Sequence, residues 1–125
     1  MRVSELSAEA RFALTRNRAI HELKPNACCE ACGETEPLML GRLKDRIVCH
    51  ECDAVRRGVS PFQAHHIGGR APNTTTVVVG ANMHAVLTLL QECFWKGRHT
   101  PGSSYAVGFD LTAYLLYVAG TDRTS

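Results

Sequence analysis

Apolar residues recur at helical spacing near both ends and near the middle of the chain, and the stretches between them read as short strands and turns. Over residues 7–24, Leu6, Ala10, Ala13 and Ile20 mark a modest stripe. Ser7 suits the N-cap, Glu9 the first turn and Pro25 the stop. Arg11, Arg16, Arg18 and Lys24 fall mostly off that stripe. The segment therefore predicts a packing helix with a solvated face, and a basic arm touching phosphates is the weaker alternative. "MLGRLKDRIVCHEC" (39–52) predicts two short strands joined by a turn. "TTTVVV" (74–79) is an unbroken β-branched run that suits a buried strand. Met83, Val86, Leu87, Leu90 and Phe94 then return to helical spacing, with Asn82 placed to cap them. "KGRHTPGSS" (96–104) reads as a loop, and "DLTAYLLYVAG" (110–120) as a last helix opened by Asp110 and closed by Gly120.

These elements make one α+β domain over residues 1–125. Its parts are an N-terminal helix (1–25), a cysteine-rich segment (26–58), a strand–strand–helix core (59–95), and a loop with a C-terminal helix (96–125). A hydrophobic fraction of 45% with 21% charged residues is that of a globular chain, too apolar for a disordered tail. Aromatics are only 6%, so the core must rest on Leu, Val and Ala, with a metal as a natural supplement. A net charge of +2 permits a nucleic-acid partner without arguing for one. "MRVSELSAEARFALTRNR" carries charge throughout and lacks the apolar core of a signal peptide, and no run approaches bilayer length. The expectation is a cytoplasmic protein, away from membranes, whose six cysteines stay reduced.

Reduced cysteines at this spacing predict metal. "CEAC" (29–32) and "CHEC" (49–52) flank a linker of sixteen residues, the pattern of a four-thiolate zinc site. A two-residue gap in a tight turn aims both sulfurs at one tetrahedral ion, and Gly33 supplies the sharp backbone beside the first pair. Cys29, Cys32, Cys49 and Cys52 are thus the expected ligands. Cys28 and His50 rank below them as substitutes, and Cys93 reads as a plain core residue. A closed four-sulfur shell leaves no position for water, so this zinc is expected to be structural.

A second group carries chemistry. "QAHHIGGR" places two histidines, His65 and His66, at the end of a strand, where successive side chains point to opposite faces. One imidazole can hold a metal while the other faces a reacting group. Gly68 and Gly69 allow close backbone approach, Arg70 offers a fork of donors to phosphate, and the following strand and helix bring His84 back toward the pair.

From about Cys29 to Gln91, on "AHHIGGR", "TTVVV" and "NMH" preceded by paired cysteine knuckles, the chain resembles the HNH endonucleases and their ββα-metal fold. The resemblance implies His65 and His84 as ligands of a catalytic divalent metal (Mg²⁺, Mn²⁺, Ni²⁺ or Zn²⁺) and His66 as the general base that activates water. It also implies Asn82 as a polar residue shaping the site at the helix start. The implied activity is metal-dependent hydrolysis of DNA phosphodiesters. Two positions depart from the family pattern. Thr75 or Thr76 stands where many members carry an asparagine that orients the base, and "GANM" (80–83) stands where many carry Cys-x-x-Cys.

The residue types suit the reaction. A histidine titrating near neutrality takes water's proton at working pH, and one divalent ion polarises the phosphate. Arg70, with Arg98 and His99 in the later loop, is placed to neutralise DNA backbone charge, although for Arg98 and His99 a plain solvated surface is the stronger reading. The alternative is a catalytically inactive zinc-ribbon or HNH-like nucleic-acid-binding module. A zinc deaminase is excluded by motif order, because the Cys pairs precede the histidines and no His-x-Glu occurs at that position.

Overall fold

The computed structural model describes residues 6–72 and 74–122, with side chains described as far as residue 116. Its element order is α1 (Ala8–Leu23), a 3₁₀ turn (Pro37–Met39), β1 (Leu40–Leu43), β2 (Arg46–Cys49), α2 (His50–Arg56), β3 (Phe62–His66), β4 (Thr76–Gly80), α3 (Ala81–Phe94) and α4 (Ser104–Asp122). The fold is mixed α+β, with two separate antiparallel hairpins, β1–β2 and β3–β4, among the described residues.

Helix α1 begins as its sequence predicts, with the Ser7 side chain accepting from the Ala10 N–H at 3.1 Å. Two of its three arginines, Arg11 and Arg16, have internal partners. Arg11 donates to the Cys93 carbonyl near the end of α3, where a cation also meets the negative end of the helix dipole. Arg16 forms a two-pronged pair with Glu36 at 2.9 and 3.0 Å.

Leu23, Ala27, Leu40 and Val48 bury themselves around Cys29 and Cys49, with Leu43, Ile47 and Cys52 packed against them. This small core ties the end of α1 to the β1–β2 hairpin. Further buried apolar residues lie on α3, where Val86 and Leu87 are fully enclosed, and Val79, Trp95 and Ala106 are also buried. Helix α3 touches α1, α2, both strands of the second hairpin and α4, and so holds the two halves together.

Two helix starts depart from the sequence reading. Asn82 does not cap α3; Gly80 does, and Asn82 lies one residue inside the helix, buried. Its Oδ1 accepts the Glu51 N–H of α2 at 3.1 Å, while a Glu51 carboxylate oxygen accepts the Asn82 N–H at 3.1 Å. Each helix thus supplies the acceptor for an orphan donor at the start of the other. A Cβ on Gly80 would run into the Glu51 carboxylate, 2.8 Å from its Cδ, so glycine keeps this junction open.

Asp110 does not open the last helix. Helix α4 starts six residues earlier, at Ser104, with Ser103 Oγ accepting the Ala106 N–H at 3.3 Å, and it continues past Gly120 to Asp122. Among the described residues, no helix is long and apolar enough to cross a membrane.

Candidate metal centre and histidine site

The two cysteine knuckles form by different local means. In the first, the Cys29 N–H donates to Glu34 O and the Gly33 N–H to Cys29 O, both at 2.8 Å, and the turn closes on Gly33 at φ +85°. In the second, Cys49 ends β2 and serves as N-cap of α2, its sulfur accepting the Cys52 N–H at 3.4 Å. A bond from the Glu30 N–H to Ile47 O (3.0 Å) stitches the first knuckle to the hairpin that carries the second.

The result brings the sulfurs of Cys29, Cys32, Cys49 and Cys52 within 4.8 Å of one another. Cys32 and Cys49 are 3.7 Å apart. The donor set fits a closed tetrahedral metal site, and zinc is the ion that four thiolates suit best. Cys28 and His50 stay outside the cluster, and the His50 ring instead meets the Leu38 carbonyl at 3.2 Å.

Crowding splits the thiols. Burial pushes Cys29 up, but backbone hydrogen bonds from Cys49, Cys32 and Ala31 outweigh it and bring the thiol down to about 6. Burial and the neighbouring sulfurs push Cys52 well above its ordinary value. Cys32 also ends above it, because burial and contacts with Cys29 and Cys49 exceed the opposing pull of the Glu34 backbone. One thiolate is prepared, and others must lose protons to a metal. Cys93 is buried apart from the cluster in α3, and burial raises its thiol as expected of a core residue.

The second hairpin orients the histidines. Antiparallel pairing sets His65 opposite Val77 and His66 opposite Thr76. Alternation then puts Gln63, His65, Val77 and Val79 on one face and Phe62, Ala64, His66, Thr76 and Val78 on the other. On the first face Val79 is buried and His65 2% exposed while Gln63 stays exposed, and on the second Phe62 is 61% and Val78 71% exposed.

His65 meets His84 of α3 edge to face, with ring centroids 5.4 Å apart. Burial holds both imidazoles below their ordinary pKa; for His65 the Asp110 charge opposes this and His84 and His66 reinforce it. Neutral imidazole is the ligand form, but among the described residues the only group of three or more ligand side chains gathered closely enough for a metal is the cysteine cluster. His84 also reaches a cleft of about 290 Å³, shared with His50, Asp53, Arg57, Ser60 and Gln63.

His66 is half-buried and turned away from that pair by one strand position. Among the described residues its Nδ1 is buried without a hydrogen-bond partner, and Thr76, its cross-strand neighbour, does not supply one. Asn82 is held by Glu51. Arg70, Arg98 and His99 are exposed, and His99 stacks on Tyr105 at 3.9 Å. The loops carrying them are pinned together, the Gly102 N–H donating to Gly68 O at 2.8 Å.

Three residues that matter here escaped the sequence reading. Asp110, 2% exposed, accepts from the Gly68 N–H (2.6 Å), Gln91 Nε2 (2.6 Å) and Trp95 Nε1 (2.9 Å). Gln91 in turn reaches His65 Nε2 at 3.2 Å and the His66 carbonyl at 3.3 Å. The signals were an isolated acid in an apolar helix and a tryptophan whose N–H needs a buried partner.

Compared with protein-family models, curated proteins and solved structures, the chain finds no match.

Proposed function

We propose that this protein is a small metal-dependent endonuclease of the HNH type, hydrolysing DNA phosphodiesters. In this reading β3, β4 and α3 form a ββα-metal core braced by a structural zinc on Cys29, Cys32, Cys49 and Cys52. The observation that carries it is the meeting of His65 and His84 across the strand–helix junction, with His66 on the adjoining strand position. The two neutral rings would hold the divalent ion, which supplies Lewis-acid polarisation of the scissile phosphate.

The chain's own work is different. With His66 Nδ1 shut away, Nε2 is the ring nitrogen left to take a proton from the attacking water. The Gly68–Gly69 turn keeps the backbone slim beside it, and Arg70 in the next position is exposed for phosphate contact.

A second reading has a specific observation in its favour. Among the described residues no hydrogen bond reaches His66 Nδ1, and Gln91 already engages His65, as expected of a nucleic-acid-binding module that has lost hydrolysis. Cleavage of supercoiled plasmid by the zinc-loaded protein, with Mg²⁺, Mn²⁺ or Ni²⁺ and with chelator as control, separates the two. A positioned base contributes roughly 100- to 10,000-fold, so His66→Ala should slow cleavage by that range while leaving DNA retention intact. If the parent cleaves with none of the ions yet retains DNA, the binding module is correct.

A further inference from the structure

The Gln91 amide nitrogen has more acceptors than hydrogens. Three acceptors converge on it: Asp110 Oδ2 at 2.6 Å, His65 Nε2 at 3.2 Å and the His66 carbonyl oxygen at 3.3 Å. A primary amide has two N–H bonds, so one acceptor is always underserved. The orientation of the amide follows from its neighbours. The Asp110 carboxylate can only accept, and turning the Gln91 oxygen toward it would set two oxygens at 2.6 Å.

The remaining contacts of Asp110 are fixed, with Gly68 N–H on Oδ2 and Trp95 Nε1 on Oδ1. Because Gln91 presents N–H, its contact with His65 is a hydrogen bond in the tautomer with a bare Nε2 and the ring proton on Nδ1.

A point enclosed by a carboxylate oxygen, a bare imidazole nitrogen and a backbone carbonyl is chemically a cation position. The donors are those that Mn²⁺, Co²⁺ or Zn²⁺ accept. We propose that the Gln91 amide nitrogen occupies a divalent-cation site made by His65 Nε2, Asp110 Oδ2 and the His66 carbonyl, and that Gln91 governs entry of metal to His65. The site draws on α4 and on main chain, beyond the strand–helix pair. It rests on the reading above only in taking His65 as a metal ligand. When an ion enters, Gln91 must swing away, and the ion replaces its amide as counter-group to the buried Asp110 charge.

The experiment measures Mn²⁺ binding to the zinc-loaded full chain by electron paramagnetic resonance. Mn²⁺ prefers nitrogen and oxygen donors and leaves the thiolate cluster alone. If the plugged form dominates, Gln91→Ala frees the site and tightens Mn²⁺ binding by about tenfold or more, one ion per chain. Adding Asp110→Asn to that variant abolishes the gain. Gln91→Ala binding Mn²⁺ no better than the parent overturns the proposal.

Nitrogen NMR of the parent's histidines keeps the test decisive if Gln91→Ala does not fold. The metal-free His65 ring must show a bare Nε2 and a protonated Nδ1, and a protonated Nε2 refutes the site. Mn²⁺ binding that depends on His84 but not on Gln91 or Asp110 sinks this inference and leaves the endonuclease reading standing. Binding that follows Gln91 and Asp110 without cleavage by any ion does the reverse.

Discussion

Loading the cysteine cluster with zinc should expel protons in a number the thiols themselves set. At pH 7 Cys29, brought down to about 6, is already about nine-tenths thiolate and releases almost nothing. Cys32 and Cys52 are held above their ordinary value and are protonated there, so each must give up its proton to become a ligand. At least two protons therefore leave per zinc. The sign follows directly: protons compete with metal, so affinity rises with pH. With two protons displaced, it rises roughly 100-fold from pH 7 to pH 8, or about 2.7 kcal/mol. Below about pH 6 the slope steepens by one further proton as Cys29 also protonates. Calorimetric titration in two buffers of different ionisation enthalpy counts the protons, and competition with a chromophoric chelator gives the affinity at each pH. Release of fewer than one proton at pH 7, or an affinity flat between pH 7 and 8, would show that the four sulfurs do not act as one thiolate shell.

Two further perturbations probe the frame around the sites. Gly80→Ala keeps an ordinary extended backbone, so its cost comes from displacing the Glu51 carboxylate from the Asn82 N–H. A lost cap of this kind is worth about 1 kcal/mol, read as a melting point lower by roughly 4 °C in the zinc-loaded protein; an unchanged melting point would mean that the crossed caps carry no stability. Asp110→Ala strands the Gly68 and Trp95 N–H groups in a buried place, at about 1–3 kcal/mol each, so urea unfolding should shift by at least about 2 kcal/mol. A shift below about 1 kcal/mol would mean that these donors find water or new partners.

The parts that were legible in the sequence are those whose cause is local. Cys29 and Cys32, or Cys49 and Cys52, meet because two residues of turn leave their sulfurs no other direction, and the spacing alone announces it. His65 and His84 could be paired on paper because alternation in β3 and the immediate turn from β4 into α3 fix which faces meet. Asn82 and Asp110 were misread for one shared reason. Asp and Asn near a helix start are ordinarily caps, and here both lie inside helices with their side chains committed to another element: Asn82 to α2, Asp110 to a loop forty-two residues away. No local rule distinguishes such a residue from a cap; what does is the apolar company it keeps. Between Ser104 and Thr121 Asp110 is the sole charged residue, and an isolated acid there is tolerable only if buried donors await it. Those donors are the Gly68 backbone, Trp95 and Gln91, which are also the groups that shape the turn after His66 and engage His65. The C-terminal helix is therefore coupled to the histidine site through its one inward charge, and a change in α4 that moves Asp110 must be felt at His65 even though the helix contributes no imidazole of its own.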